Sequence, residues 1–535
     1  MKLPGAAEYL ARNGGLKLVG AMTSIAVAVA LCTRFGIGGT LARDEAVYAY
    51  AGQQLADGVP PYASIFDAKT PLASMIAGVA AAVAHLAGGN DIYLIRAAFF
   101  VCACLAVLAV YLLAAQLWRS VLAGVVAATV FVSFTGFAED ALSGPDAKTP
   151  GVLFAVLSMW LVIGRRWFWA AFAASLAFLA WQPLLIYLVV AALVAAVNSP
   201  ARQRWKALGL AVAGGAVPLV LVIVYFALAG ALGEFAEAAF AFPATGVKRA
   251  EETVGARILN IVHVVHGDYK FSGALIWAGI VALLLLVVAH FVRNLGDLRQ
   301  ALRDPLVCIV LITLVADIAY AMLDFQSYPD VYPFLPYAAL GLGGAAAAVV
   351  KLLKISAARR AAAAGVLVAV AVLTAFSWSW FTNDPANDGI RAQRGDACAL
   401  ERMVGPTGGL YALGNPAFLV LTHRRNPDRF IYLGSGVDRW KIRHMPGGFD
   451  GWTAQIRAAG PSVIVMGGWH TPLTHEMATW LKNAGYSPRY VGKWRVFLTP
   501  AARALARLHG VRLTYRPTDF ATGTSGRELP ARICG

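Results

Sequence analysis

The sequence predicts a polytopic α-helical membrane protein that ends in an α/β domain. Hydrophobic residues fill 59% of the 535 positions and charged residues only 14%, which is far from the composition of an ordinary globular chain. Apolar stretches close to the ~20 residues needed to cross a bilayer recur from about residue 18 to about residue 381 and then cease. We therefore divide the chain into a membrane domain, residues 1–381, and a soluble domain, residues 382–535.

The positions of Lys and Arg predict the topology, because short cytoplasmic loops carry an excess of basic residues. The basic N-terminus leads into the first apolar segment without a good small-residue cleavage site, so we expect a retained signal-anchor. Residues 71–88 form the ambiguous segment: if they crossed the membrane, the basic clusters at 164–167 and 198–206 would lie outside. If they instead lie along the outer interface as a juxtamembrane helix, every later basic cluster is cytoplasmic.

We therefore predict about eleven membrane-spanning helices plus juxtamembrane helices. The predicted spans are 18–37, 94–117, 121–137, 151–164, 167–181, 183–197, 207–231, 274–292, 306–323, 334–351 and 362–381. The odd number places the C-terminal domain on the outer side, together with four loops. We number these the first loop (38–93), the second (138–150), the third (232–273) and the fourth (324–333). An amphipathic run at 258–271 predicts an interfacial helix in the third loop.

The loops on this outer face hold most of the unusual polar chemistry. The first loop contributes Asp44, Glu45, Asp67 and Lys69, and Arg96 lies just inside the next predicted helix. The second loop contributes Glu139, Asp140, Asp146 and Lys148. Ionisable residues near the bilayer are costly unless they are hydrated, paired or functional. Capping of a helix N-terminus explains one acid of the pair Asp44 and Glu45, but it does not explain the whole set.

The first loop resembles the family-39-like membrane glycosyltransferases of the GT-C superfamily, which include protein O-mannosyltransferases and the aminoarabinose transferase of lipid A. The superfamily pattern is an acidic pair after the first transmembrane helix, a K-x-P-L-type turn before a short apolar helix, and an arginine that opens the next helix. In this chain the three features are Asp44-Glu45, Lys69 to Leu72, and Arg96. Residues 327–343 are similar to a late Y-x-x-x-L-P-type element, although Val331 stands where the family often has histidine.

The resemblance implies an inverting glycosyltransferase that moves a sugar from a polyprenyl-phosphate donor to an acceptor hydroxyl on the extracytoplasmic face. Asp44 matches the catalytic aspartate, which would accept the proton of that hydroxyl. A carboxylate within hydrogen-bond reach suits this role, because a sugar hydroxyl is a poor nucleophile and the phosphate leaves as a stable anion. Lys69 and Arg96 would bind the donor phosphate, lysine as a point charge and arginine through its planar fork.

The resemblance also implies that Glu45, Glu139, Asp140 and Asp146 contact the acceptor or a divalent metal ion. Their spacing is not a clean D-x-D pair, and hard cations need several oxygen ligands, so the sequence leaves metal dependence open. No other cofactor is expected. The expected partners are the lipid-linked sugar, membrane lipids and a lipid, glycan or protein acceptor. Nucleic acid is not expected, and neither a G-x-G-x-x-G nor a Walker motif is visible.

The C-terminal part alternates short apolar runs with helical patterns, which predicts an α/β domain with a partly parallel sheet. We expect strands at 409–414, 418–423, 429–434, 461–468 and 490–500, and helices around 451–460 and 474–486. The domain carries twenty Lys and Arg against ten Asp and Glu, which suggests that it lies near anionic lipid or an acidic glycan. Cys398 and Cys534 bracket it and would pair only in an oxidising compartment.

Two other classes of function stay open at this stage. One is a transporter or flippase of a lipid-linked glycan, for which Asp317 and Asp324 could mark a pathway within the membrane. Against it, the polar residues gather at one face, and no inverted repeat of broken helices is visible. The other is a non-catalytic membrane scaffold that carries the α/β domain. The glycine- and alanine-rich composition suggests a bacterial plasma membrane as the location.

Overall fold

The computed structural model describes residues 14–246, 253–352, 365, 389–404 and 408–517. Its first part is a bundle of apolar helices. Six helices are long and apolar enough to cross a bilayer in the described ranges: Gly15–Thr33, Asp91–Leu117, Ala201–Leu228, Ser272–Arg293, Leu306–Leu323 and Tyr328–Leu352. The pair Val121–Ser133 and Thr135–Ser143 would make a seventh span, although the chain bends by 70° between its two members. The prediction of a polytopic helical membrane protein is therefore confirmed.

Ten of the eleven predicted spans coincide with helices, and the eleventh, 362–381, falls almost entirely outside the described residues. The helices at three predicted spans, Lys148–Ile163, Trp167–Ala180 and Leu185–Asn198, are shorter than a full bilayer crossing. The ambiguous segment forms the helix Leu72–Ala87, and a helix, Val254–Gly267, is present in the third loop where an interfacial one was predicted. The juxtamembrane and interfacial positions of these two helices stay predictions.

Two boundaries differ from prediction. The first span ends at Thr33 and not at residue 37, because the glycine-containing stretch that follows leaves the helix. The third predicted span breaks at Phe134, whose φ and ψ of −68° and 114° are extended. As a result, Glu139 and Asp140 lie on the short helix Thr135–Ser143 and not in a loop.

Small residues let the long helices approach closely. The helices Ser272–Arg293 and Leu335–Leu352 pack against each other at Gly279 and Gly341, where a Cβ on Gly341 would overlap the carbonyl oxygen of Gly279. This is the small-residue packing common between membrane helices, where van der Waals contact replaces hydrophobic burial as the attractive force. The remaining α-helices described in this part are Arg43–Ala56, Leu232–Ala236, Phe242–Thr245 and Leu298–Arg303; the spans Ala201–Leu228 and Leu306–Leu323 are α-helical over Arg204–Leu228 and Ile312–Leu323.

The C-terminal part is a small α/β domain. Its sheet consists of β1 (Gly409–Leu413), β2 (Pro461–Met466), β3 (Ser487–Val491) and β4 (Trp494–Leu498) in the order β1-β2-β4-β3. β1 and β2 are parallel and the other pairs are antiparallel, so the predicted partly parallel sheet is present. Its helices are Gly389–Val404, Ala417–Thr422, Val437–His444, Gly448–Ala459, Pro472–Asn483 and Pro500–Leu508. Of the predicted Cys398–Cys534 pair, Cys534 lies outside the described residues.

Two strand predictions in this domain are wrong. The run 418–423 lies in the helix Ala417–Thr422, which begins where Asn415 accepts a hydrogen bond from the Ala417 N–H at 2.9 Å. The run 429–434 forms no strand and passes as irregular chain between the sheet and the membrane helices. Both runs are short and fully or largely buried, and hydrophobic periodicity does not distinguish a strand from a helix or a buried loop in such runs.

The two parts of the chain share one hydrophobic core. Apolar residues of Arg43–Ala56 and Leu72–Ala87 pack in a single cluster with residues of β1, β2 and Ala417–Thr422. Hydrogen bonds add to this junction: the Tyr50 hydroxyl accepts from the Asn426 N–H at 2.9 Å, and the Gln393 side chain exchanges bonds with both backbone groups of Leu41. The C-terminal domain therefore helps to hold the first loop in place.

Candidate active site

The acidic pair of the first loop begins the helix Arg43–Ala56. Both acids fall in the first turn, where carboxylates interact favourably with the helix N-terminus. Glu45 performs the capping, since its Oε2 accepts a hydrogen bond from the Ala42 N–H at 3.1 Å. The Asp44 side chain is 63% exposed and that of Glu45 is 16% exposed. The pair is therefore divided into one structural acid and one acid that solvent and substrate can reach.

Arg96 is fully buried beneath this helix start. Its Nη1 donates hydrogen bonds to the carbonyl oxygens of Ile37 and Gly39 at 2.6 and 2.9 Å, and its Nη2 donates to that of Thr40 at 3.2 Å. The same Nη2 lies 3.8 Å from Oε2 of Glu45. These contacts favour a role in holding the loop and not the direct contact with a donor phosphate that the sequence suggested.

The turn that precedes Leu72 carries a half-buried lysine. The Lys69 N–H donates to Oδ1 of Asp67 at 3.2 Å, and its carbonyl accepts from the Tyr62 hydroxyl at 2.7 Å. Its ammonium lies 5.3 Å from the centre of the Tyr48 ring. The backbone contacts fix the turn, and the ammonium lies beside the helix Arg43–Ala56 that carries Tyr48.

Four neighbouring groups raise the pKa of the Lys69 ammonium. Burial alone would lower the pKa of Lys69, but Tyr48, Asp67, Asp146 and Asp44 together hold it well above its ordinary value. We call these five residues the Lys69 cluster. Burial raises the pKa of Asp67 to about 6, even though Lys69 pulls it down. The cluster includes residues of both the first and the second loop.

The second loop approaches the first through Glu45. A Cβ at Gly144 would lie 2.7 Å from Oε2 of Glu45, so the backbone of the second loop packs directly on that carboxyl. Burial raises the pKa of Glu45 to about 8, and the nearby Asp140 contributes to the rise while Arg96 opposes it. Glu45 therefore holds a proton near neutral pH and acts as a hydrogen-bonding group between the loops.

Tyrosines of the late element hold Asp140. The Tyr328 hydroxyl lies 2.9 Å from both carboxylate oxygens of Asp140, and the Tyr332 hydroxyl lies 2.7 Å from Oδ2. The two tyrosines are four residues apart, in the helical turn Tyr328–Phe334 that opens the last described membrane helix. The sequence pointed to this element but not to these side chains, whose Y-x-x-x-Y spacing was the available signal.

The other second-loop residues separate into different roles. Asp146 accepts hydrogen bonds from the N–H groups of Lys148 and Thr149 at 2.9 and 3.3 Å, at the start of the helix Lys148–Ile163. The Lys148 ammonium pairs with Asp330 at 2.5 Å and not with the neighbouring Asp146. Glu139 is exposed. The predicted acids thus contribute one cap, one tyrosine-held carboxyl and one surface group.

The C-terminal domain lies over the start of the acidic helix. Arg43 donates hydrogen bonds to the carbonyl oxygen of Gly468 and, at 3.1 Å, to the Tyr432 hydroxyl, and its guanidinium lies 4.7 Å from the centre of the Tyr432 ring. Burial raises the pKa of Tyr432, and Asp44 raises it further. Sequence reasoning missed Tyr432, because the run 429–434 was interpreted as a strand of the distant sheet.

The predicted acids do not form a metal-binding group among the described residues. The one group there of three or more potential ligands whose donor atoms all lie within 4.8 Å of each other consists of His85, Asp91 and His423. Metal dependence at Glu45, Glu139, Asp140 and Asp146, which the sequence left open, is therefore not decided by the structure.

No protein-family model matches the chain, and no curated protein matches it in sequence. Solved structures do match over most of its length. Apo ArnT from Cupriavidus metallidurans superposes with a TM-score of 0.56 at 16% identity, covering 90% of this chain and 98% of that one. ArnT bound to undecaprenyl phosphate gives 0.54 at 16% identity, with 89% and 97% covered. The oligosaccharyltransferase AglB from Archaeoglobus fulgidus, with an inhibitory peptide and a dolichol-phosphate, gives 0.52 at 13% identity, with 89% and 73% covered.

These neighbours are GT-C glycosyltransferases, so the fold defined by the helical bundle and its C-terminal domain is the GT-C fold. The resemblance that the acidic pair, the K-x-P-L-type turn and Arg96 indicated in the sequence is confirmed at the level of the fold. The chain spans almost the whole of ArnT, including its C-terminal part.

Proposed function

We propose that this protein is an inverting glycosyltransferase that takes a sugar from a polyprenyl-phosphate donor and transfers it to an acceptor hydroxyl. The single observation that carries the proposal is the Lys69 cluster, in which a half-buried cation interacts electrostatically with acids of two loops, among them the exposed carboxylate of Asp44. The GT-C fold supports it, since two of the matching structures hold undecaprenyl phosphate and dolichol phosphate.

The roles in this reaction follow from exposure and charge. Asp44 accepts the proton of the acceptor hydroxyl while the acceptor oxygen bonds to the anomeric carbon. The bond from that carbon to the phosphate oxygen breaks, and the polyprenyl phosphate leaves with the electron pair. One displacement at one carbon inverts its configuration. Lys69 neutralises the phosphate charge, and its high pKa keeps it cationic over the physiological pH range.

In this proposal Arg96 is a positioning residue that holds the backbone beneath the site. It fixes residues 37–40 and Glu45, and this in turn fixes the first turn of the helix that carries Asp44. Glu45 and Asp140 line the junction of the two loops and are positioned to contact the acceptor. Precise placement of the base matters because an error of about 1 Å in a reacting group can cost about 10²-fold in rate.

We further propose that the site and the C-terminal domain face the extracytoplasmic side of a bacterial plasma membrane. The distribution of basic clusters supports this orientation, since a juxtamembrane Leu72–Ala87 leaves all later clusters on the opposite side. The donor lipid then enters from the bilayer and the acceptor, a lipid, glycan or protein, from the aqueous side.

The test is transfer of radiolabelled sugar from a polyprenyl phosphate by the purified, detergent-solubilised full chain. Asp44→Asn should lower kcat by about 10²–10⁴-fold, the usual contribution of a positioned base. Asp450→Asn, which removes an exposed carboxylate of the C-terminal domain far along the chain, is the matched control and should retain full turnover. Full turnover by Asp44→Asn would reject the assignment of the base. Translocation of an intact lipid-linked sugar in proteoliposomes without transfer would favour the flippase alternative.

A further inference from the structure

Three potential metal ligands converge at the other end of the helix that carries Asp44. His85 lies in the last turn of Leu72–Ala87, Asp91 is the first residue of Asp91–Leu117, and His423 directly follows Ala417–Thr422. Their donor atoms all lie within 4.8 Å of one another. The helix Arg43–Ala56 contacts this group through Gln53, nine positions after Asp44 and therefore roughly 13 Å along the helix axis. Its C-cap residue Asp57 also lies there, with Oδ1 4.0 Å from Nδ1 of His85. The group is thus separate from the Lys69 cluster.

The donor set and its spacing match a transition metal. Two imidazole nitrogens and one carboxylate oxygen are ligands typical of Zn²⁺, which binds them at about 2.0–2.2 Å, so ligand atoms around one tetrahedral ion lie roughly 3.3–3.5 Å apart. Nε2 of His423 lies 3.7 Å from Oδ1 of Asp91, which is close to that spacing. The histidine side chains are 40% and 47% exposed, so ions can enter and water can occupy a fourth position.

The carboxylate of Asp91 is more deeply buried than the acid of an ordinary surface ion pair, and a neighbouring side chain holds it in place. The Asp91 side chain is only 4% exposed, and its Oδ2 accepts a 2.6 Å hydrogen bond from Nε2 of Gln53. That same amide donates to the carbonyl oxygen of Val420 at 3.0 Å. A partner that orients a ligating carboxylate is a regular feature of metal sites. Oδ1 is left facing His423, with a further contact only from the N–H of Ile92.

His423 has an unusual backbone conformation. This residue ends its helix in the left-handed conformation, with φ of 54°, where glycine is the commonest residue. A histidine at this position therefore costs conformational energy that a glycine would avoid. The result is that a side chain of the C-terminal domain reaches the junction of two membrane-domain helices.

We propose that His85, Asp91 and His423 bind one divalent transition-metal ion, zinc by the preference of these ligands, and that the ion fastens the C-terminal domain to the juxtamembrane helices. Two ligands come from the membrane domain and one from the C-terminal domain. Because Gln53 connects the site to the helix Arg43–Ala56, bound metal also restrains the helix whose first turn carries Asp44.

The test uses the full chain, stripped with a chelator, and zinc chloride as the only added probe. We expect about one zinc per chain after gel filtration, measured by mass spectrometry of the metal, and an apparent Tm that rises with free zinc concentration. His85→Ala and His423→Ala should each weaken zinc binding by at least about tenfold. Both histidines are exposed, so neither variant removes core packing. His509→Ala, another exposed histidine of the C-terminal domain, is the matched control and should bind like the parent.

Replacing one histidine ligand by cysteine provides a second, spectroscopic test of the site. His423→Cys should retain zinc, because thiolate is also a zinc ligand, and its cobalt form should show the thiolate-to-cobalt charge-transfer band that the parent lacks. Full zinc occupancy in the double variant His85→Ala/His423→Ala, or no zinc in the parent at micromolar free metal, would reject the site. These readouts do not depend on sugar transfer, so they remain decisive even if the proposed transferase activity is absent.

Discussion

The variant Arg96→Met tests whether Arg96 holds the first loop or binds the donor phosphate. Methionine keeps much of the side-chain length but removes the charge and all donors. The change deletes the hydrogen bonds to Ile37, Gly39 and Thr40 and the 3.8 Å contact with Glu45. Each bond to a charged group contributes about 1.5–3 kcal/mol, and their effects overlap because one guanidinium makes them all.

The removal of one partner from a buried charge network costs about 3–5 kcal/mol, which is our estimate for the stability lost in Arg96→Met. The apparent Tm of the purified protein should fall accordingly. The helix start would also shift, so kcat should fall while the donor KM stays within a few-fold of the parent. Lys69→Ala should behave oppositely, raising the donor KM about tenfold or more, because it loses a charged contact with the phosphate.

Arg96→Lys provides the internal control. It retains the charge but reaches fewer of the three carbonyl oxygens, so both its Tm and its kcat should lie between those of the parent and Arg96→Met. The reasoning is refuted if Arg96→Met keeps the parental Tm and raises the donor KM as much as Lys69→Ala does. That result would return Arg96 to the phosphate contact that the sequence suggested.

Three further outcomes are expected. Because the pKa of Glu45 is raised to about 8 in the folded protein, the native state binds its proton more tightly than the unfolded chain between pH 4.5 and 8. Stability should therefore fall as pH rises through this range, and Tm measured against pH should fall less steeply in Glu45→Gln. Lys148→Met should lower stability by about 3–5 kcal/mol by leaving Asp330 unpaired, and Asp330→Asn in the same chain should restore part of it in thermal melts. Gly341→Ala should separate the helices at Gly279 and cost about 1–3 kcal/mol by the same measurement, whereas no loss would contradict the close packing.

The sequence predicted the parts of the fold that depend on local composition. The long apolar helices and the helices Leu72–Ala87 and Val254–Gly267 all follow from hydrophobic patterns that are visible within each segment. Side-chain partners depend on contacts far apart in the chain and could not be predicted in this way. Arg96 bonds to carbonyl oxygens nearly sixty residues away, which no spacing rule specifies.

The residues of the candidate site likewise divide into those that the sequence identified and those that only the folded chain reveals. Motif and topology placed the loops that carry Asp44, Lys69 and Asp146 on one face, but the roles assigned to these residues stay predictions. The tyrosines that hold Asp140 were missed, because aromatic residues near a membrane are common and only the folded chain brings Tyr328 and Tyr332 to that carboxyl. Tyr432 was missed for a different reason: a short buried run in the C-terminal domain was assigned to the wrong structure.

The shared core between the membrane helices and the α/β domain has a consequence for how the protein can be studied and how it matures. Residues such as Leu410, Phe418 and Val465 pack in one cluster with Tyr50 and Ala77. A chain cut between the two parts would expose this apolar surface to water, and such patches drive aggregation. The C-terminal domain, whose composition resembles that of a soluble protein, is therefore expected to be insoluble when it is expressed alone. The first loop is expected to reach its native conformation only after the C-terminal domain has been synthesised and has docked.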